Sequence, residues 1–471
     1  MPGNRRTAHL VQQPMPSLSA LFFLFCLSLS SAWAPPVQSG RAAQTAQTRA
    51  ADLKAFRELF FSKDRSYSDE SRTTAGRRLA SLETRLDTIS QPAFELELAR
   101  IVALADNGHS HYVLSSIQRY YNRAPIRLGT FGGEFYVLRA KGDARDLLGA
   151  RLTAIDGHGI ADLRQAGREL WGGLPAFRDL FIFNLLESPD LLHAAGLAAR
   201  AESAVFRFAA KDGHEIERRL DGEPADPSRP FAQFDRTLFP DALPLEDVTW
   251  STALAPAGAP WALQHYDERF RWRVAPELNG LVIELRQNMD SATAKIAPAL
   301  KGFEKAIADA KPVNLVVDMR INGGGNLTLT RDFMKSLPSR VSGRIFVLTS
   351  PATFSAAISS VAYLKQAAPD RVTIVGENVG DRLVFFAEGH GVDLPNTLGM
   401  IGMATQRHDY QNGCRAFTDC HSAVVANPIA VPSLAPDISA PWTIEAYLSG
   451  ADPAIDAVRR ALSGTEDRIP Q

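Results

Sequence analysis

Apolar positions change period twice along this 471-residue chain. From about residue 45 they recur at helical spacing: Leu53, Phe56, Leu59 and Phe60, then Leu79, Leu82 and Leu86, then Leu96, Leu98, Ile101, Val102 and Leu104. The spacing predicts a small helical domain over 45–124. Between 125 and 222 the apolar runs are short and divided by turn signals. Phe135–Leu138, Leu152–Ile155, Val205–Phe208 and Ile216–Leu220 read as strands, with turns at Asp156-Gly157 and Asp212-Gly213 and one helix over Ala161–Leu170. Residues 223–277, rich in Pro, Asp and Ala, read as a linker. From 278 to 465 strand and helix patterns alternate. Strands are expected at Gly280–Arg286, Val313–Met319, Arg344–Thr349 and Val372–Val375. Helices are expected on the Ile296, Leu300, Phe303, Ile307 stripe, over Leu327–Leu337 with Pro338 as the stop, and over Ser355–Gln366. Strands joined by helices imply a parallel sheet with right-handed crossovers, hence an α/β class.

The N-terminus departs from this. Arg5 and Arg6 precede an uncharged apolar stretch from about Leu18 to Ala34. A basic start, an apolar middle and small residues at the end read as a signal peptide over residues 1–34, with cleavage sites after Ala32 or Ala42. An uncleaved anchor is the alternative, and the only expected route to a membrane. Cys26 lies inside this segment, which leaves Cys414 and Cys420 as a close pair, expected to form a disulfide in an oxidising compartment. The protein is therefore expected to be periplasmic or secreted. Net charge is −1, with 45% hydrophobic and 22% charged residues, so no bulk field recruits nucleic acid.

Three clusters carry candidate chemistry. Ser355 opens a predicted helix after an apolar strand, where free N–H groups and the helix dipole favour negative charge. It is either a nucleophile, with the Ala356 N–H aimed at an oxyanion, or an ordinary N-cap. The run Asp318-Met-Arg-Ile-Asn-Gly-Gly-Gly325 ends a second strand in three glycines, suited to an oxyanion hole that would use the Gly324 N–H. Asp318 and Arg320 are expected to pair and brace that turn. Neither nucleotide-binding glycine fingerprint is present, and no cofactor is expected. Third, Asn107-Gly-His-Ser-His111 places two histidines in a loop past a helix. Either His109 or His111 suits a general base. With Asp106 they also suggest metal ligands, but no further cluster completes a site, so no metal is expected.

Taken together these residues resemble the S41 family of tail-specific, or C-terminal processing, serine peptidases. Asp318-Met-Arg-x-Asn-x-Gly-Gly325, Thr353-Phe-Ser-Ala-Ala357, Gly376-Glu377, Leu394-Pro-Asn-Thr397, Pro436-Asp437, Gly450-Ala-Asp-Pro453 and Gly108-His-Ser110 each match a family element. The resemblance implies a crotonase-like α/β peptidase core over 278–465. It also implies a PDZ-like β insert over 125–222 that binds extended peptides, and protein or peptide substrates. One departure stands out. The processing branch pairs its serine with a lysine, and in Gly376-Glu-Asn-Val-Gly-Asp-Arg382 that place is taken by Asp381. Lys365 lies in the helix behind Ser355 and points elsewhere by spacing. The tricorn-like branch instead takes a histidine from an N-terminal segment, which implies His109, with His111 as its rival. Glu377 is then expected to orient the base, ahead of Asp381, Glu388 and Asp106. An inactive binding protein on the same scaffold is the alternative function.

Overall fold

The computed structural model describes residues 45–113, 120–226, 234–241, 249–291, 293–397, 399–415 and 418–464. The segment read as a signal peptide lies outside them. Helices α1 (Ala46–Ala55), α2 (Asp69–Glu83) and α3 (Gln91–Ala103) start at Thr45, Ser68 and Ser90, whose hydroxyls accept from N–H groups of the first turn. After α3 the chain turns at Asp106, which has φ 50°, and enters the short strand β1 (His111–Tyr112).

The next strands form an antiparallel sheet: β2 (Ile126–Phe131), β3 (Glu134–Lys141), β4 (Arg151–Ile155), β5 (His158–Gly159), β6 (Ser203–Ala209), β7 (Glu215–Asp221) and β8 (Trp250–Thr252). Its order is β2-β3-β4-β6-β7, with β5 on β4 and β8 on β3. Helix α4 (Ile160–Arg168) and the short α5 (Pro175–Asp179) lie between β5 and β6. The N-terminal helices do not enclose a core of their own. Leu53, Phe94 and Ile101 share one cluster with Leu128, Ile155 and Phe206 of the sheet.

A second sheet contains β9 (Phe270–Ala275), β10 (Gly280–Leu285), β11 (Asn314–Asp318), β12 (Ile345–Thr349) and β13 (Val372–Gly376). Helices α6 (Ile296–Ala310), α7 (Leu327–Arg340) and α8 (Ala356–Ala367) connect β10 through β13. The pairs β10–β11, β11–β12 and β12–β13 are parallel, and β9 adds to β10 antiparallel. The stretch read as a linker thus supplies β8 to one sheet and β9 to the other, each held by backbone pairing. Pro338 does not stop α7. It sits inside the last turn, where its fixed φ suits the helix and only one donor is lost.

The hairpin β14 (Val384–Asp393) and β15 (Met400–Asp409) pairs with β1, bringing the N-terminal loop beside the exits of the parallel strands. Strand β16 (Ile438–Ser439) closes the parallel edge beside β13. Cys414 and Cys420 are bonded, with Cα atoms 6.0 Å apart. No helix among the described residues is long and apolar enough to cross a membrane.

Candidate active site

In the parallel sheet all strand exits lie at one end, the usual place for a ligand in an open α/β sheet. Here β11 exits into the glycine turn and β12 into Ser355, while β13 leads to Asp381. The β12 exit is stitched down tightly. Thr353 Oγ1 donates to the Met319 carbonyl at 2.8 Å and the Phe354 N–H to the Asn322 carbonyl at 3.0 Å. Asp318 and Asp452 both grip the Arg320 guanidinium, with contacts of 2.7 to 3.0 Å, which fixes the start of the turn.

Ser355 has φ 55° and ψ −125°, a conformation that costs a non-glycine residue about 1–3 kcal/mol. Although it holds the N-cap position of α8, its hydroxyl makes no capping hydrogen bond. The plain N-cap role is therefore not what this residue performs. The Ala356 N–H, at the first turn of α8, has no acceptor among the described residues. Gly324, at φ 100°, approaches so closely that a Cβ there would stand 2.6 Å from Ser355 Cβ and 2.9 Å from the Ala356 nitrogen. The glycine turn and the serine are thus in van der Waals contact. One expectation changes here. The Gly324 N–H is already committed to Asn322 Oδ1 at 2.9 Å, so it is not a free oxyanion donor.

His109 arrives from the other side. Its ring stacks on Phe354, the residue before Ser355, at 4.4 Å and on Phe385 of β14 at 5.2 Å. Gly108 makes this approach possible, since a Cβ there would meet the Phe354 ring at 2.8 Å. Both ring nitrogens of His109 are buried without a hydrogen bond, so none joins it to Ser355 in this state. Its Nδ1 lies 3.9 Å from Asp381 Oδ2, which is also buried and unpaired. Burial, with smaller contributions from His408 and His111, holds the His109 pKa well below the usual imidazole value. Burial also pushes the Asp381 carboxyl up to about 7.

The other candidates are engaged elsewhere. His111 stacks on Trp171 at 4.8 Å, and its Nδ1 lies 3.1 Å from the Gly108 carbonyl. Glu377, expected to orient the base, has no contact with His109. Burial raises its pKa, against a smaller lowering by the Arg320 charge. The chain turns between them, so the residue four positions later, Asp381, reaches the imidazole instead. Glu388 contacts His408 Nε2 at 3.2 Å. Asp106 is held by Arg178 and Arg382. Lys365 bonds the Val372 carbonyl at 2.7 Å and Asp437 at 3.3 Å, where β13 and β16 begin rather than where the strands exit. Among the described residues no group of three or more His, Cys, Asp or Glu side chains is placed to hold a metal ion.

No local pattern in the chain announces the aromatic stack that carries His109. Phe177 of α5 extends it, packing on Phe354 at 4.3 Å from a stretch where no element was expected. Asn322 was visible within the glycine motif, but no role followed from its type alone.

No family model and no curated protein matches the chain. Among solved structures, mature CPAF complexed with lactacystin matches at TM-score 0.56 and 13% identity, over 89% of this chain and 99% of that one. A second structure of mature CPAF matches at TM-score 0.53 and 13% identity, over 90% and 99%. The photosystem II D1 C-terminal processing protease is more distant, at TM-score 0.37 and 16% identity. The described chain, from its N-terminal helices through the parallel sheet, has the fold of mature CPAF.

Proposed function

We propose that the protein is an exported serine peptidase of the S41 type, with Ser355 as nucleophile. The observation that carries this reading is the backbone of Ser355: strained, uncapped, beside the free Ala356 N–H and against a glycine turn. A structural serine gains nothing from that arrangement, whereas a nucleophile needs it. The sequence motifs and the shared CPAF fold support the same reading.

In the proposed mechanism His109, neutral at working pH because burial lowers its pKa, takes the Ser355 hydroxyl proton. Oγ bonds to the peptide carbonyl carbon, and the carbonyl oxygen gains the negative charge. The Ala356 N–H donates to that oxygen. Collapse breaks the C–N bond, and the leaving amine takes the proton from His109. Water then resolves the acyl-enzyme by the reverse sequence. Asp381, rather than Glu377, orients His109 and favours its charged form, given its 3.9 Å approach to Nδ1. His109 closes onto Ser355 as substrate binds, since catalytic hydrogen bonds often tighten only then. We assign the parallel sheet to a crotonase-like core and the antiparallel sheet to a PDZ-like insert that receives extended peptide. The Cys414–Cys420 disulfide fits an oxidising compartment.

The test is a fluorophosphonate probe with unfolded casein as substrate. The parent protein is expected to label at Ser355 and hydrolyse casein. Ser355→Ala is expected to lose both, and His109→Ala most of each. A parent that neither labels nor hydrolyses would leave a binding scaffold as the better reading.

A further inference from the structure

No hydrogen bond holds the His109 ring, since both its nitrogens lack a partner. Phe354 and Phe385 bound the plane of the ring, but sliding within that plane is left to the backbone that carries it. That backbone is a loop. We infer that Asp64, a buried carboxylate between α1 and α2, is a positioning residue that sets this loop, acting through Ser110. This rests on the peptidase reading above.

The loop is tied on both sides of the base. Before it, Asn107 clasps Phe386 of β14. Its Nδ2 donates to the Phe386 carbonyl at 3.0 Å, and its Oδ1 accepts from the Phe386 N–H at 3.3 Å. Phe386 adjoins Phe385, so this clasp registers the base against one wall of its slot. After the base, the Ser110 hydroxyl donates to Asp64 Oδ2 at 2.7 Å. The same carboxylate oxygen accepts from the Ala404 N–H of β15 at 2.9 Å. The Arg65 N–H adds a bond to the Ala404 carbonyl at 2.8 Å. Asn107 Nδ2 also donates to Ser110 Oγ at 3.2 Å, which joins the two ties. Asp64, Asn107 and Ser110 are all buried.

The chemistry of the anchor requires a carboxylate. Asp64 Oδ1 accepts from both the N–H and the hydroxyl of Ser66, so four donors converge on its two oxygens. A group that only accepts meets that demand. An amide does not: whichever way an asparagine turned there, its NH2 would face a backbone N–H, that of Ser66 or that of Ala404. Asp64 bonds to neither His109 nor Ser355, so it acts only through the loop. The turn between α1 and α2 thereby decides where the base stands, which makes the N-terminal helices part of the catalytic device.

A merely structural carboxylate provides the control. Asp52 of α1 is also buried and also braces the β14–β15 hairpin, but at its far turn, accepting from the Asn396 N–H at 2.8 Å and from Asn396 Nδ2 at 3.0 Å. For Asp64→Asn and for Ser110→Ala, casein kcat and the rate of fluorophosphonate labelling are expected to fall together by about 10²-fold, the scale of a reacting group misplaced by about 1 Å, with KM within about twofold of the parent. The double variant should fall no further, because both changes cut one link. Asp52→Asn is expected to lower the melting temperature comparably and leave kcat and labelling parent-like. If Asp64→Asn does not fold, Ser110→Ala carries the test, since the carboxylate keeps its bond from the Ala404 N–H. Parent-like kcat in folded Ser110→Ala, additive losses in the double variant, or an equal loss in Asp52→Asn overturns the inference and leaves the peptidase reading standing. A parent inert to casein and to the fluorophosphonate fails the peptidase reading and takes this assignment with it.

Discussion

Replacing Asp381 by asparagine isolates the acid that faces His109. The Asp381 carboxyl titrates at about 7 because burial opposes its charge. Burial holds the His109 pKa well below the usual imidazole value, so Asp381 is the group expected to titrate first as pH falls from about 8. If the Asp381 anion orients and stabilises the imidazolium, kcat/KM follows the anionic fraction. That fraction is about 90% near pH 8 and about 1% near pH 5, so parent activity should fall roughly 100-fold between them. In Asp381→Asn the inflection should vanish, with activity about 10²- to 10⁴-fold below the parent near pH 8, the upper figure being that of a triad aspartate. The gap between the two profiles should shrink about 100-fold as pH falls to about 5, closing there where the deficit near pH 8 is about 10²-fold. Stability moves the other way. The folded pKa lies above the unfolded one, near 4, so the native state holds the extra proton and stability falls as pH rises from about 4 to about 7. Asp381→Asn should flatten that fall, leaving the part due to the other carboxyls that burial raises, Glu284 (to about 7), Glu377 and Asp235. Casein hydrolysis and thermal melts across pH give both curves. An inflection near 7 that survives in Asp381→Asn would refute the assignment.

Other perturbations bear on the same site. Gly324→Ala should lower kcat by about 10²-fold or more, since its Cβ would press on Ser355 Cβ, the Phe354 carbonyl and the Ala356 nitrogen, all under 3.0 Å. Casein hydrolysis by the folded variant reads this directly. Ser355→Gly and Ser355→Ala should both be inactive, but the glycine variant should be the more stable by about 1 kcal/mol, because only glycine adopts φ 55°, ψ −125° without strain. Denaturant melts compare the two. Reducing the Cys414–Cys420 bond, which closes a loop of sequence separation 6, should cost about 2 kcal/mol of stability by loop entropy. Melts with and without dithiothreitol measure it.

The parallel core was legible because buried strands write continuous apolar runs. Val313–Met319 and Arg344–Thr349 were read to within a residue or so of β11 and β12. Ser355 was legible for a different reason: strand, turn and helix spacing put it at a junction whatever its role. Its backbone strain was not, since φ at a serine leaves no trace in composition. Asp381 against Glu377 was undecided because both lie in one loop, and only the path of that loop chooses between them. The stack of Phe177, Phe354, His109 and Phe385 joins four separate segments, so no local pattern announces it. The linker 223–277 was misjudged for a related reason. Strands β8 and β9 are ordered by the sheets they join, and the short alternation Phe270-Arg-Trp-Arg-Val274 is set among Pro-, Asp- and Ala-rich residues that read as a linker.

The stack itself argues that His109 is kept for chemistry. Its two nitrogens and Asp381 Oδ2 are buried without partners, and an unsatisfied buried polar atom costs about 1–3 kcal/mol. The slot around the ring is otherwise aromatic, with Phe354 and Phe385 against it. Phenylalanine has nearly the same shape and would leave no nitrogen unpaired. His109→Phe is therefore expected to raise stability, by about 1 kcal/mol or more, while abolishing fluorophosphonate labelling of Ser355. Asp381→Asn combined with it should add little further loss of activity, because the carboxylate acts through the imidazole. If His109→Phe instead destabilises the protein, the histidine serves packing or an unseen hydrogen bond, and the case for it as the base loses its energetic footing.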